Sequence, residues 1–176
     1  MNIAQAVYPD LKGKTVLVSG GASGIGEFMV RAFAAQGARV GFVDRAQSQG
    51  ERLAAFLSAQ GHTVQFLHCD ITDDIAFQAA IERFEHSLGP ITVLVNNAAN
   101  DVRHTLEEVD SAMFDRLIAV NLKHAFFAAK AVAPMMKRAG GGAIINLGSV
   151  GWMMASAGYP VYAASKAAAH GMTRAL

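Results

Sequence analysis

The chain is predicted to fold as a doubly wound α/β domain, a parallel sheet with helices on both faces. Three observations predict it. Short apolar runs alternate with longer helical patterns from about Thr15 onward. The runs are continuously apolar rather than alternating, as strands buried on both faces are. Glycines stand where helices should stop, at Gly37 and Gly61, and Gly89-Pro90 closes a third. Strand–helix alternation with right-handed crossovers then makes the strands parallel.

Each element has its own signal. Thr15-Val16-Leu17-Val18-Ser19 reads as the first strand, followed by a helix over 24–36. Residues 39–43 form the second strand, and a polar, Ala-rich helix runs to about Gln60. Residues 63–67 form the third strand. Phe77, Ile81, Phe84 and Leu88 mark the apolar stripe of the next helix. Residues 91–95 are the fourth strand. A long helix is expected over 111–138, with Pro134 bending its last turns. Residues 143–147 are the fifth strand, and a final helix carries Tyr162 and Lys166.

Length and composition narrow the function classes. The 176 residues suit one domain able to bury a core. A hydrophobic share of 52% excludes general disorder. The net charge of +1, without a basic stripe or charge run, argues against nucleic-acid or membrane-surface partners. Cys69 is the only cysteine, so no intrachain disulfide forms and a reducing compartment is expected. The N-terminus lacks the pattern of a signal peptide, and no apolar stretch suffices to span a bilayer. A cytoplasmic location follows as the expectation.

The first strand runs into Ser19-Gly20-Gly21-Ala22-Ser23-Gly24-Ile25-Gly26. Glycines there let the backbone approach a pyrophosphate, and the following helix aims its free N–H groups at the anion. A Gly-rich turn alone is equally a tight strand-to-helix connection. Its place, opening the first βαβ unit, favours a dinucleotide. Asp44 ends the second strand, where an acid hydrogen-bonds the adenine-ribose 2′-hydroxyl and repels a 2′-phosphate. NAD is therefore expected over NADP, with Arg45 beside it as a complication. Asp70, followed by Ile71, comes after the third strand and is placed to meet the adenine amino group. Its plainer reading is a capping or loop acid.

Tyr162 and Lys166 stand four apart in a helical pattern and share one face. A phenol has an ordinary pKa of about 10 and is a poor base at neutral pH. A fixed ammonium favours the phenolate. Lowering the pKa to about 7 takes roughly 4 kcal/mol. One desolvated cation plus the positive ring of an oxidised nicotinamide is able to supply it. The pair would then be a general base poised at working pH. The spacing is common by chance, so its weight rests on its company.

That company resembles the short-chain dehydrogenase/reductase family, from about Leu11 to the chain end. The matching pieces are the Ser19–Gly26 turn, Asp70, Asn96-Asn97-Ala98-Ala99, Asn121, Ser149 and Tyr162…Lys166, with Ser149 lying 13 residues before Tyr162. The resemblance implies a Rossmann-type sheet. It makes Tyr162 the catalytic acid/base and Ser149 the group that orients the reacting oxygen. Lys166 lowers the tyrosine pKa and holds the nicotinamide ribose. Asn121 holds a water that links Lys166 to solvent. Asn97, Ala98 and Ala99 line the ribose and nicotinamide side, after Gly20, Ser23, Gly24, Ile25 and Gly26 have cradled the phosphates. Singly, Asn121 is a buried amide satisfying nearby backbone and Ser149 a turn residue. Ser19 stands where the family usually has Thr, and Ala99 where it usually has Gly.

The substrate is expected to be a sugar. Asn100, Arg103 and His104 follow the fourth strand, and Trp152 follows Ser149, at the sheet's carboxyl edge where ligands bind. Polar donors near an aromatic face suit hydroxyls and stacked C–H faces, although a polar surface loop reads the same way. The stretches 96–104, 120–124 and 140–146 look like the NAD-dependent aldose dehydrogenases within the family. Oxidation of an aldose at C1 to its lactone is the expected reaction. A 3-oxoacyl carrier-protein reductase is the alternative, and a non-catalytic dinucleotide sensor a more distant one. The remaining histidines show no ligand spacing, so no metal is expected. The family usually continues for roughly 70 residues beyond the point corresponding to Leu176. Two further strands and a substrate-covering loop are expected there. The helices around 111–138 and 159–176 are expected to form the face of a homodimer or homotetramer.

Overall fold

A computed structural model describes residues 6–154 and 157–176. Five strands form one sheet in the order β3-β2-β1-β4-β5, every pair parallel. The strands are β1 (Thr15–Ser19), β2 (Arg39–Asp44), β3 (Val64–His68), β4 (Ile91–Asn96) and β5 (Ala143–Asn146). The helices are α1 (Gly24–Ala35), α2 (Gln47–Ala59), α3 (Asp74–Leu88), α4 (Ser111–Ile118), α5 (His124–Arg138) and α6 (Pro160–Ala175). Short 3₁₀ turns cover Pro9–Leu11 and Val150–Trp152. The predicted doubly wound α/β fold is observed.

The sheet divides the core in two, as its continuous apolar strands require. Val16, Val18, Val40 and Phe42 face Val30, Leu53 and Leu57 of α1 and α2. Leu17, Ile91 and Leu94 face the other way, toward Phe77, Ile81 and Phe84 of α3 and Ala128 and Val132 of α5. The four apolar positions Phe77, Ile81, Phe84 and Leu88 are all buried, which is the helical stripe read from the sequence. Asp73 starts α3 by accepting from the Ile75 and Ala76 N–H groups, and Asp110 starts α4 by accepting from Met113 N–H.

The long helix expected over 111–138 differs from expectation. A π turn, Ala119–Lys123, joins α4 to α5 and contains Asn121. Pro134 lies inside α5, which continues to Arg138, so the change of hydrogen-bond register falls at Asn121 and not at the proline. π turns inside α-helices commonly mark functional positions. Elsewhere the strand ends differ from prediction by one residue, as β2 reaches Asp44, β4 reaches Asn96 and β5 stops at Asn146.

β1 lies at the centre, with β2 on one side and β4 on the other. The chain direction across the sheet reverses there, and the carboxyl ends of β1 and β4 open a crevice. Side chains from both strands stitch it. The Ser19 hydroxyl accepts from Asn97 N–H at 3.1 Å and Ala98 N–H at 3.2 Å. The Asn97 amide donates to the Ser19 and Gly20 carbonyls at 3.0 and 2.9 Å. Serine in place of the usual threonine keeps this hydroxyl.

Candidate active site

The crevice continues into a cleft of about 540 Å³. Its walls hold the turn residues Gly20, Ser23, Gly24, Ile25 and Gly26, then Asp44 and Arg45 from β2, Asp70 and Ile71 after β3, and Asn97, Ala98 and Ala99 after β4. Twelve residues singled out for a dinucleotide thus meet around one space, although four different segments supply them. Cys69, Asp101 and Val120 also line it. Nothing in their spacing distinguished them beforehand.

The turn is shaped by what glycine lacks. Gly20 has φ of +69°, a region that L side chains rarely adopt. A Cβ at Gly26 would collide with the Gly20 carbonyl, so this helix start packs directly on the turn. Ser23 precedes α1 in an extended conformation and makes no side-chain cap. The first N–H groups of α1 are therefore left to the cleft. The geometry fits an anionic pyrophosphate.

Asp44 is half-buried, and both of its oxygens are engaged. Oδ2 accepts from Ala22 N–H at 3.0 Å and Oδ1 from Ala46 N–H at 2.9 Å. The carboxylate therefore braces the glycine turn while still lining the cleft. Each oxygen retains a further lone pair for a ribose hydroxyl. Asp70 is exposed, and its Oδ1 accepts from Thr72 N–H and Oγ1 at 2.9 and 2.7 Å. Partial burial works to raise its pKa. The Thr72 bonds outweigh this, with help from Arg45 and His68, so the carboxyl sits below the usual range. The Arg45 guanidinium lies 4.0 Å from it. The plainer reading of Asp70, a loop acid bonded to its own turn, is part of what it does.

The second half of the site is built on α6. Lys166 is buried and its Nζ donates to the Leu147 carbonyl at 2.7 Å. Leu147 N–H in turn donates to the Asn96 carbonyl at 3.0 Å. Lys166 is thus tied to the end of β4, one residue from Asn97 in the cleft wall. Burial lowers its pKa from the usual lysine value. The ammonium lies 5.6 Å from the centre of the half-buried Tyr162 ring, as the shared helix face required. Tyr159 meets that ring edge-on at 5.5 Å between centres. Ser149 is half-buried, and its Oγ accepts from Gly151 N–H at 3.1 Å, so it also fulfils its plainer reading as a turn residue.

Asn121 is buried, and its side chain clamps a loop. Oδ1 accepts from Asn100 N–H at 2.8 Å and Nδ2 donates to the Asn100 carbonyl at 2.9 Å. The buried-amide reading thus describes the side chain, which is occupied by backbone rather than free to face Lys166. Its neighbour His124 was missed. The ring is buried, and neither nitrogen has a hydrogen-bond partner among the described residues. Burial, then the charge of Lys166, pushes its pKa down to about 4. A histidine on an otherwise apolar helix face was its only sequence signal.

The residues read as substrate contacts have partners of their own within the protein. Asn100 is held by Asn121, and its Oδ1 accepts from Val102 N–H at 3.0 Å. The Arg103 guanidinium lies 4.1 Å over the Tyr159 ring and donates to the Ala157 carbonyl at 3.4 Å. His104 is buried, with both ring nitrogens engaged inside the protein. That burial corrects the expectation that it faces a substrate directly. The Trp152 ring packs toward His170 at 6.1 Å. Among the described residues no group of His, Cys, Asp and Glu is placed to hold a metal, and no helix is long and apolar enough to cross a membrane.

Sequence comparison matches residues 14–176 to the short chain dehydrogenase family. The probable galactose dehydrogenase GalD of Rhizobium meliloti is 42% identical over 177 residues, covering 100% of this chain and 69% of that protein. The D-xylose 1-dehydrogenase of Caulobacter vibrioides is 43% identical over 174 residues, covering 99% of this chain and 68% of that one. Among solved structures, a blue fluorescent protein from a metagenomic library in complex with NADPH superposes with a TM-score of 0.84 at 36% identity, covering 92% of this chain and 66% of its own. A chain described as a short-chain alcohol dehydrogenase of Sinorhizobium meliloti gives 0.88 at 34% identity, covering 94% and 66%.

Proposed function

This chain belongs to the short chain dehydrogenase family, and on that premise we propose that it is an NAD-linked oxidoreductase oxidising the C1 hydroxyl of an aldose to its lactone. The observation that carries the chemistry is the buried Lys166 ammonium 5.6 Å from the Tyr162 ring, tied through Leu147 to the end of β4 beside the glycine-turn cleft. The sugar rests on the two aldose dehydrogenases at 42% and 43% identity.

A nicotinamide dinucleotide, when bound, supplies the hydride acceptor. The chain's own residues do the rest. The glycine turn and the start of α1 bind the pyrophosphate. Asp44 accepts from the adenine-ribose hydroxyls, and its charge repels a 2′-phosphate. Tyr162 Oη takes the hydroxyl proton as the alcohol carbon is oxidised. Lys166 stabilises the phenolate form of Tyr162 that accepts this proton and leaves it a neutral phenol, and Ser149 Oγ holds the reacting oxygen in line. Ala98, Ala99 and Asn97 close the cleft beside the reaction. With the Asn121 side chain spent on Asn100, a proton relay through this turn would run through a water held by its main chain.

The test is a panel of pentoses and hexoses with NAD⁺ and NADP⁺, read by absorbance of the reduced cofactor. Turnover of an aldose with NAD⁺ preferred is expected. Turnover of an acyl-thioester ketone with no sugar active would replace this reading. Assembly through α4, α5 and α6 is part of it, since Phe114, Phe126 and Phe127 are exposed there. Light scattering should then show a dimer or tetramer that a Phe126→Glu, Phe127→Glu chain loses.

A further inference from the structure

The loop after β4 reaches across the site to the start of the helix that carries Tyr162. His104 is its end point and is only 4% exposed. Its Nδ1 lies 2.8 Å from the Val102 carbonyl, and its Nε2 lies 3.4 Å from the Val161 backbone nitrogen. A carbonyl only accepts, and a backbone N–H only donates. The ring must therefore carry its proton on Nδ1 and keep Nε2 as an acceptor. It must also be neutral, because an imidazolium has no acceptor.

That acceptor sits where α6 needs one. A helix start leaves its first N–H groups without partners, and a capping side chain usually satisfies one. Tyr159, the residue before α6, makes no such bond, and Pro160 has no N–H. Val161 is thus the first donor of the helix, and its partner is a histidine 57 positions away. The same loop grips the segment again, through His104 N–H to the Gly158 carbonyl at 2.9 Å and Arg103 over the Tyr159 ring at 4.1 Å. Tyr159 in turn packs edge-on against Tyr162. At its other end the loop is fixed by the Asn121–Asn100 amide pair.

We propose that His104 is a positioning residue, a neutral Nδ1–H imidazole that caps α6 from the β4 loop and thereby sets the phenol of Tyr162. The proposal rests on the reading of Tyr162 as the proton acceptor. A misplacement of about 1 Å at a reacting group can cost on the order of 100-fold in rate, so a cap on the preceding residue matters to turnover without touching substrate.

The experiment uses the full chain labelled with ¹⁵N. Long-range ¹⁵N–¹H spectra should show His104 as the Nδ1–H tautomer, with protected exchange at the Val161 amide. His104→Leu should lower kcat by about 10- to 100-fold with dinucleotide Kd unchanged, a split that separates misplacement from lost binding. His104→Gln should restore most of kcat, because its amide oxygen can accept from Val161. An Nε2–H tautomer, or full kcat in His104→Leu, would overturn the proposal, as would kcat and Kd falling together with no recovery in His104→Gln. If the wild-type chain turned over no substrate, the assignment of Tyr162 would fail. The tautomer and the Val161 exchange would still decide the cap on their own.

Discussion

The cofactor half of this site and the catalytic half are built by different means. Around the glycine turn the work is done by backbone. Gly20 and Gly26 give shape, α1 presents N–H groups, and Asp44 braces the turn from 22 positions away. Around α6 it is done by side chains at longer range. Lys166 reaches Leu147, Asn121 clamps Asn100, and His104 meets Val161 across 57 positions. The glycine turn itself involves β1, α1 and the end of β2. The second half exists only when β4, the π turn, β5 and α6 have all docked. Binding and turnover should accordingly be separable.

The widest separation should come from Tyr162→Phe. General acid–base groups contribute about 10²- to 10⁴-fold, so kcat should fall by that order while dinucleotide affinity, followed by fluorescence titration, stays unchanged. Retained activity would remove Tyr162 from its role. Lost affinity would show that the two halves are one.

Acid should weaken the catalytic half first. His124 has a folded pKa of about 4 against an ordinary 6.5. Between these values the unfolded chain binds the proton that the folded chain refuses, so stability falls as pH drops through this window. The loss should reach roughly 3 kcal/mol below pH 4 and be absent above pH 6.5. Urea titrations of the wild type and His124→Phe across this range should diverge. Parallel curves would place the acid sensitivity elsewhere.

The smallest effect belongs to the cofactor half. Asp44→Ala removes both the ribose acceptor and the repulsion of a 2′-phosphate. A hydrogen bond to a charged group is worth about 1.5–3 kcal/mol, so kcat/KM with NAD⁺ should fall by about 10-fold or more while NADP⁺ gains, helped by Arg45. Because Asp44 also holds Ala22 and Ala46, a drop in melting temperature should accompany it. An unchanged NAD⁺ to NADP⁺ ratio would transfer the selectivity to other residues.

The two halves also differ in how far they were legible beforehand. The twelve cleft residues sit in contiguous runs after β1, β2, β3 and β4, where a parallel sheet must bring strand ends together. Tyr162 and Lys166 were legible because helical spacing alone puts them on one face. The inward turn of His104 was not legible, because position after a strand does not say which way a loop folds. His104 turned inward to an orphan N–H. His124 was read only as a histidine without ligand spacing, because its position on the helix gives no hint of the lysine whose charge it feels.

The sequence by itself determined the parallel α/β sheet, its glycine turn and the Tyr162–Lys166 face, since each follows from apolar continuity, backbone freedom or helical period over a few neighbouring residues. Only the tertiary structure decided that the long helix breaks register at Asn121, that this amide holds Asn100, and that His104 caps α6. Those outcomes depend on which buried N–H and C=O groups lack partners once distant segments pack, and a polar group removed from water bonds to whichever partner the fold brings within reach.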